Sequence, residues 1–112
     1  MMSVPLCRLE DVEDGNSAAC VAEFGGRKRS FIVVRKAETA FVYLNNCPHI
    51  GAPLDFTPGQ FLNLEKSMIL CSSHGALFTI ETGFCVSGPC EGESLTPVKL
   101  EIVDGHVNLL EQ

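Results

Sequence analysis

Apolar residues in this 112-residue chain fall in short runs whose internal spacing is that of strands. Positions 18–24 and 30–35 are two apolar, β-branched runs separated by Gly25-Gly26-Arg27-Lys28-Arg29, a pattern that predicts a hairpin with a basic loop. A third strand is predicted over 40–44, and two more over 68–70 and 77–80, short and bounded by polar or glycine-containing segments. Near the C-terminus, 98–103 alternates apolar and charged residues, meets Asp104-Gly105, and resumes as 106–110. This is a strong hairpin signal, because Asp-Gly supplies the positive φ values that a two-residue turn requires. No segment carries the spacing and caps of an ordinary helix. Short strands punctuated by ten Gly and six Pro predict an all-β fold, a small sandwich or barrel. Two stretches interrupt the pattern, 46–67 and 81–97, and spans of that length in a compact domain are usually functional loops or short helical excursions. Within the first, Gly59-Gln60-Phe61-Leu62 reads as a short strand or an interface.

Composition narrows the functional classes. Length and the lack of any linker, repeat or low-complexity tract predict one domain over 1–112. Eight Lys plus Arg against fourteen Asp plus Glu give a net charge of −6, which disfavours phosphate backbones and anionic lipid, so neither nucleic acid nor a membrane is an expected partner. Six Cys is an enriched count, yet below the density of a disulfide-stapled secreted scaffold. The first eight residues have neither the basic flank nor the apolar stretch of a signal peptide, so a reducing, cytoplasmic setting is expected. In that setting an excess of Cys and His points to metal before disulfides.

The two irregular stretches carry the candidate chemistry. The first opens with Cys47-Pro48-His49-Ile50-Gly51, and Cys71-Ser72-Ser73-His74-Gly75 follows the 68–70 strand. The spacing is C-x-H, twenty-one residues, then C-x-x-H, with each pair followed by Gly. A zinc finger also uses two Cys and two His, but it normally pairs like with like and ends in a helix. One thiolate and one imidazole per loop suits a two-centre cofactor that takes sulfur on one metal and nitrogen on the other.

This arrangement resembles the Rieske family of [2Fe–2S] proteins, whose two binding loops look like residues 47–51 and 71–75 and whose covering Gly-Pro turn is matched by Gly88-Pro89. The resemblance is specific from about Asn46 to Pro97. It implies that Cys47 and Cys71 ligate an inner iron and His49 and His74 an outer one, in a small all-β domain with a two-loop cofactor-binding subdomain at one tip. Two ferric ions and two sulfides carry a formal +2; four thiolates would make that −2, whereas two thiolates and two neutral imidazoles make it zero, so an added electron costs less. The family's high-potential respiratory members carry an extra Cys in each loop where this chain has Ala52 and Ser73, and Ser and Tyr hydroxyls where it has Ala76 and Phe78. The expected potential is therefore about −150 mV, at the low end for His-ligated clusters. Reduction should raise the basicity of the ligand imidazoles, so the potential is expected to fall with pH above neutrality.

The function so implied is that of a one-electron carrier, a Rieske-type ferredoxin passing electrons from a flavin reductase to a terminal oxygenase, and an electron-transfer component more than a catalyst. The alternative is a Rieske small subunit held in a larger reductase, like that of assimilatory nitrite reductase. A sensor using Cys85 and Cys90, which flank Gly88-Pro89, ranks last. An oxygenase catalytic subunit needs a second iron held by two His and a carboxylate, and beyond His49 and His74 only His106 remains. His106 follows the Asp104-Gly105 turn and reads as a surface residue. Cys7 and Cys20 lie in apolar N-terminal strands and read as core, as do the rings of Phe41, Tyr43, Phe78 and Phe84. The acidic run from Glu10 to Asp14 reads as a solvated face, with docking of a basic partner as its functional alternative.

Overall fold

Four consecutive apolar residues, Phe31, Ile32, Val33 and Val34, decide the layering of the molecule. Successive strand side chains point to opposite faces, so a run buried at every position needs cover on both sides. In the computed structural model, which describes residues 2–45, 61–63, 65–71, 75–88 and 91–111, all four are buried. Phe31 and Val33 pack into one apolar cluster and Ile32 and Val34 into another. Each such side chain contributes roughly 1.5–3 kcal/mol on burial, and this strand spends both of its faces.

The strands form three three-stranded antiparallel sheets. The central one is β2 (Ser17–Phe24), β3 (Arg27–Lys36) and β4 (Thr39–Leu44). The second is β1 (Met2–Arg8), β9 (His106–Glu111) and β8 (Leu100–Val103), in that order. It packs on the Phe31/Val33 face, with Val107 and Leu109 buried there and Leu9 and Val12 closing the edge. The third, β5 (Met68–Leu70), β6 (Leu77–Thr79) and β7 (Cys85–Ser87), packs on the Ile32/Val34 face through Ile69, Phe78, Ile80, Cys85 and the neighbouring Phe61 and Leu95. The expected all-β fold is present, as sheets stacked in series.

The turns follow the sequence closely, with one refinement. Asp104 and Gly105 take φ of 49° and 76°, the geometry of a two-residue hairpin turn. Between β2 and β3 the turn is only Gly25-Gly26, with φ of 63° and 80°, so the basic residues Arg27, Lys28 and Arg29 belong to the strand. At the β3–β4 turn a non-glycine, Ala37, has φ of 55°. Its N–H donates to Asp14 Oδ1 at 2.7 Å, and its carbonyl accepts from Arg35 Nε at 2.8 Å, contacts that hold a conformation Ala alone disfavours.

Three expectations are corrected. The stretch 81–97 contains β7, whose three residues are too few to show a period. Phe84 is 44% exposed and is not a core ring: around the inward Cys85, Phe84 and Val86 alternate to the outside. The acidic run is partly structural, since Asp14 supports the Ala37 turn and Asp11 accepts the Arg8 N–H at 3.2 Å. His106 is exposed on β9, as expected. Of the alternatives for 59–62, the described part is strand-like, with Leu62 bridged to Ile69 and the Leu70 N–H donating to the Phe61 carbonyl at 2.6 Å.

Candidate metal centre

Cys71 is the one proposed ligand among the described residues, and it sits at the exit of β5. Its N–H donates to the Ala76 carbonyl at 2.9 Å, and its own carbonyl accepts the Gly75 N–H at 2.9 Å. Two backbone hydrogen bonds thereby tie the ends of the connection from β5 to β6. Gly75 has φ of 73° with open space where a Cβ would be, so glycine is required there for conformation and not for room. The Cys71 side chain is fully buried, in the same cluster as Ile32, Tyr43, Ile69 and Phe78. Cys47, His49 and His74 lie outside the described residues, as do Gly51, Ala52, Ser73, Pro89 and Cys90. Among the described residues no three His, Cys, Asp or Glu side chains converge.

One neighbouring segment braces this turn. Gly88, just after β7, has φ of 103° and lies against it so closely that an added Cβ would meet the Ala76 Cα at 2.7 Å. Glycine at position 88 is thus a packing requirement. The segment entering the other proposed loop is fixed at Asn45, whose N–H donates to the Ser30 carbonyl at 3.0 Å and whose Nδ2 reaches Ser30 Oγ at 3.3 Å. Cys85, fully buried, donates its S–H to the Ser87 carbonyl at 3.2 Å, and none of the four described cysteines is in a disulfide.

Sequence reasoning placed Tyr43 in the core and missed what it does there. Its hydroxyl donates to the Ile80 carbonyl at 2.6 Å, and its ring lies where a side chain at Gly83 would have to go, 2.7 Å from the added Cβ. The central sheet is thereby latched to the 80–83 turn that joins β6 to β7. Burial, reinforced by the charge of Glu81, pushes the phenol up to about 12. Glu81 itself pairs with Lys36 at 2.5 Å, which holds its carboxyl below the usual range. A Thr-Gly turn five residues after a buried-strand start was the only signal in the sequence for this latch.

The described residues fit a compact, sulfur-binding cofactor: a buried thiol, a turn closed by main-chain bonds, and a glycine backbone pressed against it with no side chain between. The Rieske [2Fe-2S] domain model matches residues 2–104, and the chain belongs to that family. A Rieske-type [2Fe–2S] cluster is the cofactor this membership implies. Among solved structures, the ferredoxin of carbazole 1,9a-dioxygenase from Nocardioides aromaticivorans IC177 is 20% identical with a TM-score of 0.78, all of each chain being covered. The ferredoxin of Sphingomonas yanoikuyae B1 is 26% identical with a TM-score of 0.75, over 99% of both chains. A chain of the complex of reduced oxygenase and oxidised ferredoxin in carbazole 1,9a-dioxygenase is 23% identical with a TM-score of 0.75, over 98% of this chain and 94% of that one. No curated protein matches the chain. Across the described residues no helix is long and apolar enough to cross a membrane.

Proposed function

We propose that this protein is a one-electron carrier of the ferredoxin type, accepting an electron from a flavin reductase and delivering it to a terminal oxygenase or similar acceptor in the cytoplasm. In this reading Cys47 and Cys71 hold one iron and His49 and His74 the other, and residues 1–112 work as a single domain. Bound there, the cluster supplies a site that takes up and gives back one electron. The chain's own part is to hold it, through the buried Cys71 thiol and the main-chain hydrogen bonds that tie the turn behind it. The observation that carries the proposal is this buried Cys71 turn, backed by Gly88, in a chain whose family match spans both proposed loops. The ferredoxin likenesses, and the oxygenase–ferredoxin complex of the carbazole system, support the direction of transfer to an oxygenase.

The test is electron paramagnetic resonance on anaerobically reduced protein, with iron and acid-labile sulfide measured on the same sample. Equal iron and sulfide and a rhombic signal of low average g are expected. Cys71→Ser, His49→Ala and His74→Ala should each abolish the signal, whereas His106→Ala, at an exposed strand position, should leave it intact. Bound zinc without sulfide would end the proposal.

A further inference from the structure

A cavity of about 360 Å³ opens between the central sheet and the β1–β9–β8 sheet. Phe24 of β2 and Leu44 of β4 line it from the Phe31 face of the central sheet, the face away from the cluster that holds Cys71. Pro97, Val98 and Lys99 line it from the segment that joins the two sheets, and Leu110 from β9. That segment is fastened to both sheets by main chain. The Leu44 N–H donates to the Thr96 carbonyl at 3.0 Å, the Val98 N–H to the Val42 carbonyl at 2.9 Å, and the Leu110 N–H to the Lys99 carbonyl at 2.9 Å. The lining is therefore set by backbone before any ligand arrives.

The lining is mostly apolar, and the charge around it is positive. Lys99 belongs to the lining itself. In the β2–β3 ladder Arg27 stands opposite Phe24 and Arg29 opposite Ala22, while Phe31 stands opposite Leu44, so Arg29 is diagonal to both Phe24 and Leu44 on the same face. Diagonal neighbours are about 7–8 Å apart, inside the roughly 10 Å screening length at 0.1 M salt. The ion pairs among the described residues, Arg8–Glu10 and Lys36–Glu81, use none of these three cations. The Arg29 Nε is buried with no hydrogen-bond partner, a costly arrangement that a nearby anion eases. Glu23 alternates to the opposite face, beside Lys28, and Glu101 sits on β8 opposite Asn108, two residues beyond Lys99. The three cations outweigh it.

We infer that this cavity is a binding site for a small aromatic monocarboxylate, with the ring among Phe24, Leu44, Val98 and Leu110 and the carboxylate at Lys99. Size sets the ring count: an apolar cavity of about 150 Å³ holds benzene, so this one takes a substituted ring or two fused rings. The apolar body gains by leaving water, and the anion gains a charge-assisted hydrogen bond from the Lys99 ammonium, with the Thr96 hydroxyl beside it in the lining. A ring is favoured over a flexible chain of similar area because it has fewer rotamers to lose. A cation of the same shape meets Lys99, Arg27 and Arg29 with the wrong sign. The inference does not rest on the electron-carrier reading, since the site and the Cys71 turn lie on opposite faces of the central sheet.

The test is a fluorine NMR titration of 4-(trifluoromethyl)benzoate with the oxidised, full-length protein, beside the alcohol and the amine that carry the same ring. Saturable binding of the carboxylate in about the millimolar range is expected, with the alcohol about fivefold weaker and the amine silent. Octanoate should displace the carboxylate only at higher concentration. Lys99→Met should weaken carboxylate binding about threefold and Lys99→Glu about tenfold. Lys99 is exposed and its bond to Leu110 is made by main chain, so both substitutions spare the fold, which the thermal midpoint checks. Lys66→Glu makes the same change in net charge at another exposed position and should leave binding unaltered. No saturable binding below about 20 mM, equal binding of carboxylate and amine, tighter binding of octanoate, or equal weakening by Lys99→Glu and Lys66→Glu would each overturn the inference.

Discussion

Gly88 lies so close against Ala76 that a Cβ at position 88 would stand 2.7 Å from the Ala76 Cα. Backbone cannot yield as a flexible side chain can, so two costs combine at this position: a φ of 103° that L-residues avoid, and a clash. Gly92 offers the comparison, with φ of 93° and nothing within 4 Å of its added Cβ.

Gly92→Ala should therefore cost only the conformational part, about 1–2 kcal/mol. Gly88→Ala should cost about 3 kcal/mol and, because the displaced partner is the turn that starts at Cys71, should also reduce the iron bound per chain. Thermal unfolding and iron content measured on both variants check this; equal losses would mean that the close approach is not structural.

The Tyr43 latch predicts a specific response to pH. Tyr43 is the chain's one tyrosine, so phenolate absorbance reports it alone. Its folded value, about 12, lies above the ordinary 10, which means the folded protein holds the phenolic proton more tightly than the unfolded chain does. That contribution is complete below pH 10 and is lost as pH climbs from 10 to 12, at about 1.4 kcal/mol per unit. Tyr43→Phe should cost about 1.5 kcal/mol at neutral pH, by stranding the Ile80 carbonyl, and should lack this alkaline loss. Glu81→Gln, which removes an exposed ion pair in the same turn, should cost under about 1 kcal/mol. Denaturant unfolding at pH 7 and pH 11 separates the three.

Some of this was legible in the sequence, and the reason differs by residue. The run Phe31 to Val34 announces a strand buried on both faces, and Asp104-Gly105 its turn, because steric rules at those positions are local. The third sheet is harder to read: its strands are three residues each, and Phe84 looks like core because a large ring on an edge strand has no local mark of facing out. The Leu6 bulge is invisible for the opposite reason. It is a property of the pairing with β9, some hundred positions away, and the sequence of β1 shows only an apolar run. For the site, the sequence offered Cys47, His49, Cys71 and His74 as candidates, of which Cys71 alone lies among the described residues, while the brace at Ala76 and the Tyr43 latch depend on tertiary approach.

Ala76 and Phe78 bear on the potential. Both are buried and neither carries a hydroxyl, so neither side chain can donate a hydrogen bond that would favour the reduced cluster. The midpoint should lie near the low end of the His-ligated range, about −150 mV. Protein-film voltammetry at pH 7 checks it, and a value above zero would contradict the argument.

Charge near Asn45 predicts which reagents react fastest. Ser30, hydrogen-bonded to Asn45, follows Arg27-Lys28-Arg29 directly, and Asn45 precedes Cys47 by two residues in the chain. Arg27 and Lys28 are exposed, and the ion pairs among the described residues are Arg8–Glu10 and Lys36–Glu81, neither of which uses them. Glu23 lies opposite Lys28 in the ladder, so Arg27, Lys28 and Arg29 stand against one carboxylate at this end, whereas Glu13 and Asp14 precede the other end of β2, whose eight residues span about 27 Å, and are poorly placed to steer a partner here. Despite the net charge of −6, an anionic oxidant should meet a locally positive rim. Reversing Arg27 and Lys28 to Glu should slow oxidation of the reduced protein by ferricyanide about tenfold at low ionic strength. The difference should vanish in about 1 M salt, where screening acts within about 3 Å. Reversing Glu13 and Asp14 to Lys should change the rate little. Stopped-flow oxidation by ferricyanide and by cationic hexaammineruthenium(III) distinguishes local from net charge, since the hairpin variant should speed the cationic reagent as it slows the anionic one.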